Sequence, residues 1–463
     1  TLTVNLTGAA NLLTTCTYDI VYEYDSTSNV YGKSPTTKNG NKEITLQVSN
    51  VNGTNNFANE KNFDYDSSWT NKKRTLVSGA TISSNGTLTT QNISITGKYY
   101  NLTIPQTSIE GKAFTGKIYV TNHSCSTSEI PPAYITLLNK YGGKDSITEL
   151  PDSAFESVTT ASDKGMYKKA DDLGTSYYYR GAVNNNWVKF GKDSSGKDIY
   201  WRIIRINGDG SIRMIYTGTT DPKNESSVTG SNGVYMTGTG TQIGTSVFNS
   251  SYNNPSYVGY MFTEGQQHGN GTSSDIKNTL ENWYAGTTLK DNPLVSQDQI
   301  FCNDRSASST QTATGTNYDY GANGRLTLTT KSPQLICPTE SDKFTSKESS
   351  IGNKALTYPV GLITADEVAM AGGVYGSSNT NRSYYLYTNQ SYWSGSPYNF
   401  FSYNSNAYGF SVNSSGSLTY NSVYYTTGAR PVVSLSSKAK LLGNGTYSKP
   451  YTVSWLMKLE KLN

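Results

Sequence analysis

Short runs of alternating apolar and polar side chains, several of them cut off by Asn-Gly pairs, fill the first 125 residues of this 463-residue chain. A period of two belongs to a strand with one dry and one wet face, so this pattern constrains the fold more than any other feature. The runs are CTYDIVYEY (16–24), EITLQVS (43–49), TLVSGATIS (75–83), ISITGKYYNLTI (93–104) and AFTGKIYVTN (113–122). Asn39-Gly40, Asn52-Gly53 and Asn85-Gly86 lie between several of them, and Asn-Gly favours the left-handed backbone of a tight hairpin. The expectation is an all-β sandwich over residues 1–128, immunoglobulin-like or jelly-roll. It has no cluster of histidines and carboxylates, which points to a supporting stalk.

Residues 129–162 change character. Pro131-Pro132 stiffens the chain, and only Ile135 and Leu138 stand at helical spacing, so the segment reads as a linker. A second unit follows over 163–453. Its clearest element is DIYWRIIRINGDGSIRMIYTG (198–218), a hairpin turning at Asn207-Gly208-Asp209-Gly210. SSDIKNTLENWYAG places Ile276, Leu280 and Trp283 on one helical face with Ser274 as N-cap. TADEVAMAGG has Thr364 and Glu367 in capping-box spacing and stops at Gly372-Gly373. Few helices among many strands predict an α+β unit, with 454–463 as a C-terminal tail.

Charge narrows the function. Charged residues are 16% of the chain and the net charge is +4, too weak a field to gather nucleic acid. Two histidines and four cysteines leave little for a metal centre, so no metal and no cofactor is expected; a calcium ion would find oxygens at Asp171-Asp172 or in NGDGS (207–211), where a hairpin turn is the simpler reading. No run of 18 apolar residues occurs, and the chain starts at Thr1. We expect an extracellular protein on a bacterial cell surface, with its export signal and its membrane or cell-wall anchor outside these residues. Four cysteines allow three connectivities. The most local pairs Cys16 with Cys125 and Cys302 with Cys337; four free thiols is the other reading.

Residues 383–425 are the informative stretch. Ten of these residues are tyrosine, and no charged residue occurs from Ser394 through Ala429. Asn, Ser and Gly fill most of the rest. Tyrosine supplies broad amphipathic contact at low entropic cost while Ser, Gly and Asn add adaptable hydrogen bonds, which is the chemistry of a recognition surface. A Tyr-rich surface strand pair or a low-complexity, aggregation-prone tract would share the composition.

The order SYWSGSP, then a Tyr/Asn/Ser-rich stretch with GFSVNSSGSL, then GARPVVSL resembles the variable region of diversity-generating retroelement proteins. YYYRGAVNNNWVKFG and YWRIIRINGDGSIRMIYTGT are similar to segments of such surface proteins of gut bacteria. The resemblance covers about 164–453. It implies a C-type lectin fold of the branch related to formylglycine-generating enzymes, and an extracellular ligand-binding or adhesin function with a diversified face. In that family AAC-type Asn codons are randomised at adenines, and every residue from Ser394 to Ala429 lies in the set such a codon reaches.

The resemblance also implies a division between frame and display. Trp393, Pro397, Gly416, Arg430 and Pro431 match the frame, and Phe410 and Val412 alternate as inward strand residues, leaving Gly409, Ser411 and Asn413 on the other face. The displayed set is then Tyr398, Asn399, Phe400, Tyr403, Asn404, Asn406, Tyr408, Tyr420, Asn421, Tyr424 and Tyr425, with Ser411 and Asn413 added from the strand. The expected partner is a protein or glycan ligand on another cell, a phage or a host surface.

Catalytic residues are not expected. His123 and His268 fall in different units, and no base accompanies Ser394 or Ser396. Formylglycine-generating enzymes use a pair of active-site cysteines, whereas Cys302 and Cys337 stand far apart around a long loop. The calcium-binding motifs of sugar-binding lectins are missing. A pilus-type structural subunit is the first alternative, and a formylglycine-type or glycan-processing enzyme the second.

Overall fold

Thirteen residues of one strand, LLTTCTYDIVYEY, show what alternation does in practice. Tyr18, Ile20, Tyr22 and Tyr24 are buried, Thr17 is open and Asp19 and Glu23 are half-open; Val21, where the β2–β6 register shifts, is buried as well. The computed structural model describes residues 1–8, 12–25, 43–63, 72–84, 88–101, 115–224, 233–308, 317–376 and 378–454. They form two compact units, Thr1–Ile130 and Pro131–Asn463.

The first unit holds β1 (Leu2–Thr7), β2 (Leu12–Tyr24), β3 (Ile44–Ser49), β4 (Thr54–Asn55), β5 (Lys61–Asn62), β6 (Lys73–Ser84), β7 (Leu88–Tyr99) and β8 (Gly116–Glu129). Two four-stranded sheets, β1-β7-β3-β5 and β4-β6-β2-β8, are consistent with a sandwich. Tyr18, Ile20, Val48, Leu76, Val77 and Ile93 fill the core they share. Cys16 and Cys125 stand directly opposite each other on β2 and β8 and form a disulfide. β1 was not expected, and the strand expected over 93–104 runs instead from Leu88 to Tyr99. Asn39-Gly40 and Asn85-Gly86 lie outside the described residues.

The second unit begins earlier than expected. Residues 131–162 are not a linker: α1 (Ala133–Asn139) buries Ala133, Leu137 and Leu138 in the main core, and Phe155 packs with Tyr178 and Met370. The period-3.6 signal was short because one helical turn of apolar residues suffices to dock against a preformed core.

Its large sheet is built from β9 (Lys164–Asp171), β10 (Gly174–Gly181), β11 (Trp187–Lys192), β12 (Asp198–Ile206), β13 (Ile212–Gly218), β24 (Val432–Leu435), β25 (Lys440–Leu442) and β26 (Tyr451–Ser454). The order is β24-β13-β12-β11-β26-β25, with β10 pairing β12 and β9. The expected hairpin is β12–β13, and Asp209 Oδ1 accepts from the Ser211 amide and hydroxyl to shape its turn. Eight of the nine β12 residues and all seven of β13 are buried, because central strands covered on both faces have no wet side.

The second sheet joins β14 (Gly244–Ser246), β18 (Asn317–Asp319), β20 (Tyr392–Phe401), β21 (Asn406–Val412), β22 (Leu418–Ser422) and β23 (Thr427–Ala429). Its order is β14-β23-β20-β21-β22, with β18 on β20. The pairs β15 (Met261–Phe262) with β16 (Thr272–Ser273) and β17 (Phe301–Cys302) with β19 (Lys343–Phe344) make small ribbons. The Cys302–Cys337 disulfide is present.

Three helices complete the unit: α2 (Asp275–Ala285), α3 (Gly321–Leu326) and α4 (Ala365–Ala371). Ser274 caps α2, and Ile276, Leu280 and Tyr284 face inward while Trp283 is half-buried against Trp201 and Tyr216. Thr364 and Glu367 form the expected capping box of α4. Glu367 also holds two buried arginines. Its carboxylate lies 2.9 Å from Arg205 Nε and 2.6 Å from Arg213 Nε, the latter off the hydrogen-bonding direction. Burial would raise its pKa, but Arg213 and Arg205 outweigh that and hold it below the usual range. Asp171 pairs with Arg205 at 2.6 Å, and Asp172 with Lys343 at 3.2 Å. The Asp171 and Asp172 carboxylates are thus committed to cations, while Asp209 serves its own turn; among the described residues no group of three or more His, Cys, Asp or Glu could hold a metal. A void of about 30 Å³ beside this network is of water size. No helix among the described residues is long and apolar enough to cross a membrane.

Candidate functional site

The Tyr-rich stretch runs through β20, β21 and β22 and the segments flanking them, and burial sorts its tyrosines into two groups. Tyr384, Tyr385, Tyr387, Tyr392 and Tyr398 are buried. Tyr403, Tyr420, Tyr424 and Tyr425 are exposed, Tyr403 by 79%, and Tyr408 is half-buried.

The interior group is held by backbone carbonyls and guanidinium groups. Tyr384 donates to the Gly416 carbonyl at 2.8 Å and Tyr392 to that of Leu386 at 3.2 Å. The Arg430 guanidinium lies 4.6 Å from the Tyr392 ring centre, and that of Arg202 lies 5.4 Å from Tyr385 and 4.4 Å from Trp187. Stacking on aromatic faces and donating to carbonyls lets an arginine stay buried without a carboxylate. Burial drives the Arg202 pKa down to about 9. Trp393, Pro397, Phe410, Val412, Gly416, Arg430 and Pro431 are all buried. Gly416 turns at φ +83°, and a β-carbon there would collide with the Asn381 carbonyl.

The solvent-facing group sits where the sheet ends. Tyr403 and Asn404 occupy the β20–β21 turn, Tyr420 lies on the edge strand β22, and Tyr424 and Tyr425 follow it. Their rings fall into two sets of contacts. Tyr398 and Tyr420 stack at 4.2 Å, Tyr408 meets Tyr420 edge-on at 5.5 Å, and Phe401 touches both Tyr408 and Tyr403. Asn404 donates to the Tyr408 hydroxyl at 3.0 Å. A second group joins Tyr424 to Tyr425 at 4.5 Å and to Tyr252 at 4.7 Å. A hydrogen bond with Tyr425 raises the Tyr424 pKa.

Four residues expected on display are interior. Tyr398 is covered by Tyr420 on one side, with Tyr375 stacked at 5.9 Å and Phe410 edge-on at 5.0 Å. Asn399 is 1% exposed and stands opposite Asp319 of β18. Asn406 accepts from the Ser422 hydroxyl at 2.5 Å, inside the β21–β22 pair. Ser411 lies opposite Trp393 and is 1% exposed. The expected open face of β21 is covered: the Trp393 ring comes within 3.6 Å of where a Gly409 β-carbon would stand. Alternation failed here because a strand sealed on both faces hides both sets of side chains. Phe400, Asn413 and Asn421 are half-buried. Asn413 Oδ1 accepts from the Ser415 and Ser417 amides and shapes the turn at Gly416.

Tyr252, Asp319, Tyr375 and Phe401 belong to this neighbourhood and were not anticipated. Tyr252 and Asp319 are distant in the chain from the Tyr-rich stretch, and no local pattern announces which loops converge on a sheet end. Comparison with protein-family models, with curated proteins and with solved structures returned no match.

Proposed function

We propose that the second unit is an extracellular recognition module, a C-type-lectin-like scaffold that presents a tyrosine-rich face to a protein or glycan on another surface. On this reading the chain is an adhesin rather than an enzyme, the first unit is a supporting stalk, and the face belongs to a variable protein of a diversity-generating retroelement. One observation carries it: Tyr252, Tyr403, Tyr420, Tyr424 and Tyr425 are exposed together at one end of a sheet whose neighbouring aromatics are buried. Large aromatic side chains left open cost solubility and mark interaction sites. The two disulfides fit a compartment where thiols oxidise.

The test is a binding screen of the full chain against glycan and surface-protein arrays, repeated with Tyr403, Tyr424 and Tyr425 replaced by alanine. Loss of the captured ligands by the variant, with its melting temperature held, is expected. Equal capture by both proteins would contradict the assignment of the face.

A further inference from the structure

Each wholly buried carboxylate in the second unit is matched to an arginine: Asp171 and Glu367 to Arg205, Asp304 and Asp366 to Arg325, Asp342 to Arg305. Asp319 breaks this pattern. It is half-buried, and no cation pairs with it among the described residues. The segment just before it, residues 309–316, reads STQTATGT and contains no basic residue. Asp319 accepts from Asn323 Nδ2 at 3.2 Å and lies beside the Asn399 side chain, whose Oδ1 is buried without a partner. Asn323 Nδ2 also donates to the Tyr398 carbonyl at 3.3 Å, which sets Asp319 next to Tyr398, and the Tyr375 and Tyr398 hydroxyls hydrogen-bond to each other at 2.8 Å; burial raises both phenols' pKa, and the Asp319 charge adds to it. Tyr420, partly open to solvent, stacks on Tyr398. The carboxylate is thus met by neutral amides and by no described cation, with the aromatic rings of Tyr375, Tyr398 and Tyr420 grouped close by.

We infer that Asp319, with the rings of Tyr375, Tyr398 and Tyr420, forms a subsite for a cationic side chain, arginine or lysine, of a protein partner. This rests on the reading of the tyrosine face as a recognition surface and adds the chemistry of what it takes. A guanidinium or ammonium would donate to the carboxylate, and its charge would be drawn to the ring faces. No lysine or arginine occurs from Ser394 through Ala429 to repel it. Burial raises the Asp319 pKa, offset in part by Asn399. Burial also holds the phenols of Tyr375 and Tyr398 above their ordinary range, so of these three groups only Asp319 titrates on the acid side of neutrality. Its carboxylate is lost as pH falls through a pKa above the ordinary 3.8, and the cation contact is lost with it.

The experiment pans a library of random dodecapeptides against the full chain at neutral pH and measures the selected peptides on three proteins. These are the wild type, Asp319→Asn, and the variant with Tyr403, Tyr424 and Tyr425 replaced by alanine. The expected peptides carry arginine or lysine, bind Asp319→Asn roughly tenfold more weakly, and lose as much when that basic residue becomes glutamine. Weakening of wild-type binding on acidification supplies the same evidence without a substitution, should Asp319→Asn misfold. Peptides that need the three tyrosines yet bind Asp319→Asn and acidified wild type unchanged would overturn the subsite and leave the recognition face standing. Peptides that bind all three proteins equally would overturn both.

Discussion

Tyr392 and Tyr403 lie eleven positions apart in one low-charge stretch and have opposite fates. Tyr392 is 0% exposed, bonded to a carbonyl and stacked by Arg430, whereas Tyr403 is 79% exposed at a hairpin tip. The difference shows what composition can and cannot locate. A tyrosine ring has enough apolar area to enter a core and a hydroxyl that can donate to either a carbonyl or water. What decides is whether neighbours cover the ring; a carbonyl partner for the hydroxyl, present for Tyr384 and Tyr392, is absent for the buried Tyr385. The buried group has Leu386, Gly416, Arg202 and Arg430; the exposed group has mainly other tyrosines.

The largest way to break this comparison is to truncate the interior side. Tyr392→Ala should cost about 3–5 kcal/mol of unfolding free energy in denaturant titration, as for other large aromatic truncations. A loss below about 1 kcal/mol would mean the ring is not structural. Replacing Cys302 and Cys337 with serine opens a loop of 35 residues. It should cost about 3–4 kcal/mol in the chain-entropy account, and it would also loosen the approach to β18 and Asp319.

Alkaline pH sharpens the contrast without mutation. Burial raises the phenol pKa of Tyr179, Tyr260, Tyr384 and Tyr385, and drives Tyr216 up to about 12. The unfolded chain releases those protons from about pH 10, so the native state binds more protons there and stability falls as pH rises above 10. Arg202, at about 9 when folded, and Arg213, at about 10, act in the opposite sense, as do Arg180 and Arg430, which burial also lowers, but they are outnumbered by the phenols. Spectrophotometric titration of tyrosine should show a fraction of rings resisting ionisation until the protein unfolds. A smaller effect is Tyr384→Phe, which removes the hydroxyl bonded to Gly416 and should cost about 1 kcal/mol.

Much of the architecture was legible in the residues. The β12–β13 hairpin announced itself by its turn, α4 by Thr364 and Glu367, and the disulfides by the nearest pairing of four cysteines. These signals are local, and local chemistry survives translation into structure. α1 was missed because Leu137 and Leu138 take their meaning from a core assembled elsewhere in the chain. The site was half legible. Composition marked the stretch, and Tyr403, Asn404, Tyr420, Tyr424 and Tyr425 are open, but Tyr398, Asn399, Asn406 and Ser411 are not. Their burial depends on Tyr375, Trp393 and β18, which no spacing within 383–425 reveals. Asp319 was invisible for the same reason: its lack of a cation partner among the described residues is a fact of three dimensions.

The smallest expected effect bears most directly on the central claim that the frame is indifferent to what it displays. Thermal unfolding of the variant with Tyr403, Tyr424 and Tyr425 replaced by alanine should give a midpoint within about 3 °C of wild type, since exposed side chains contribute within about ±0.5 kcal/mol each. A midpoint lower by about 10 °C or more, or loss of a cooperative transition, would show that these rings are part of the core and would contradict the account.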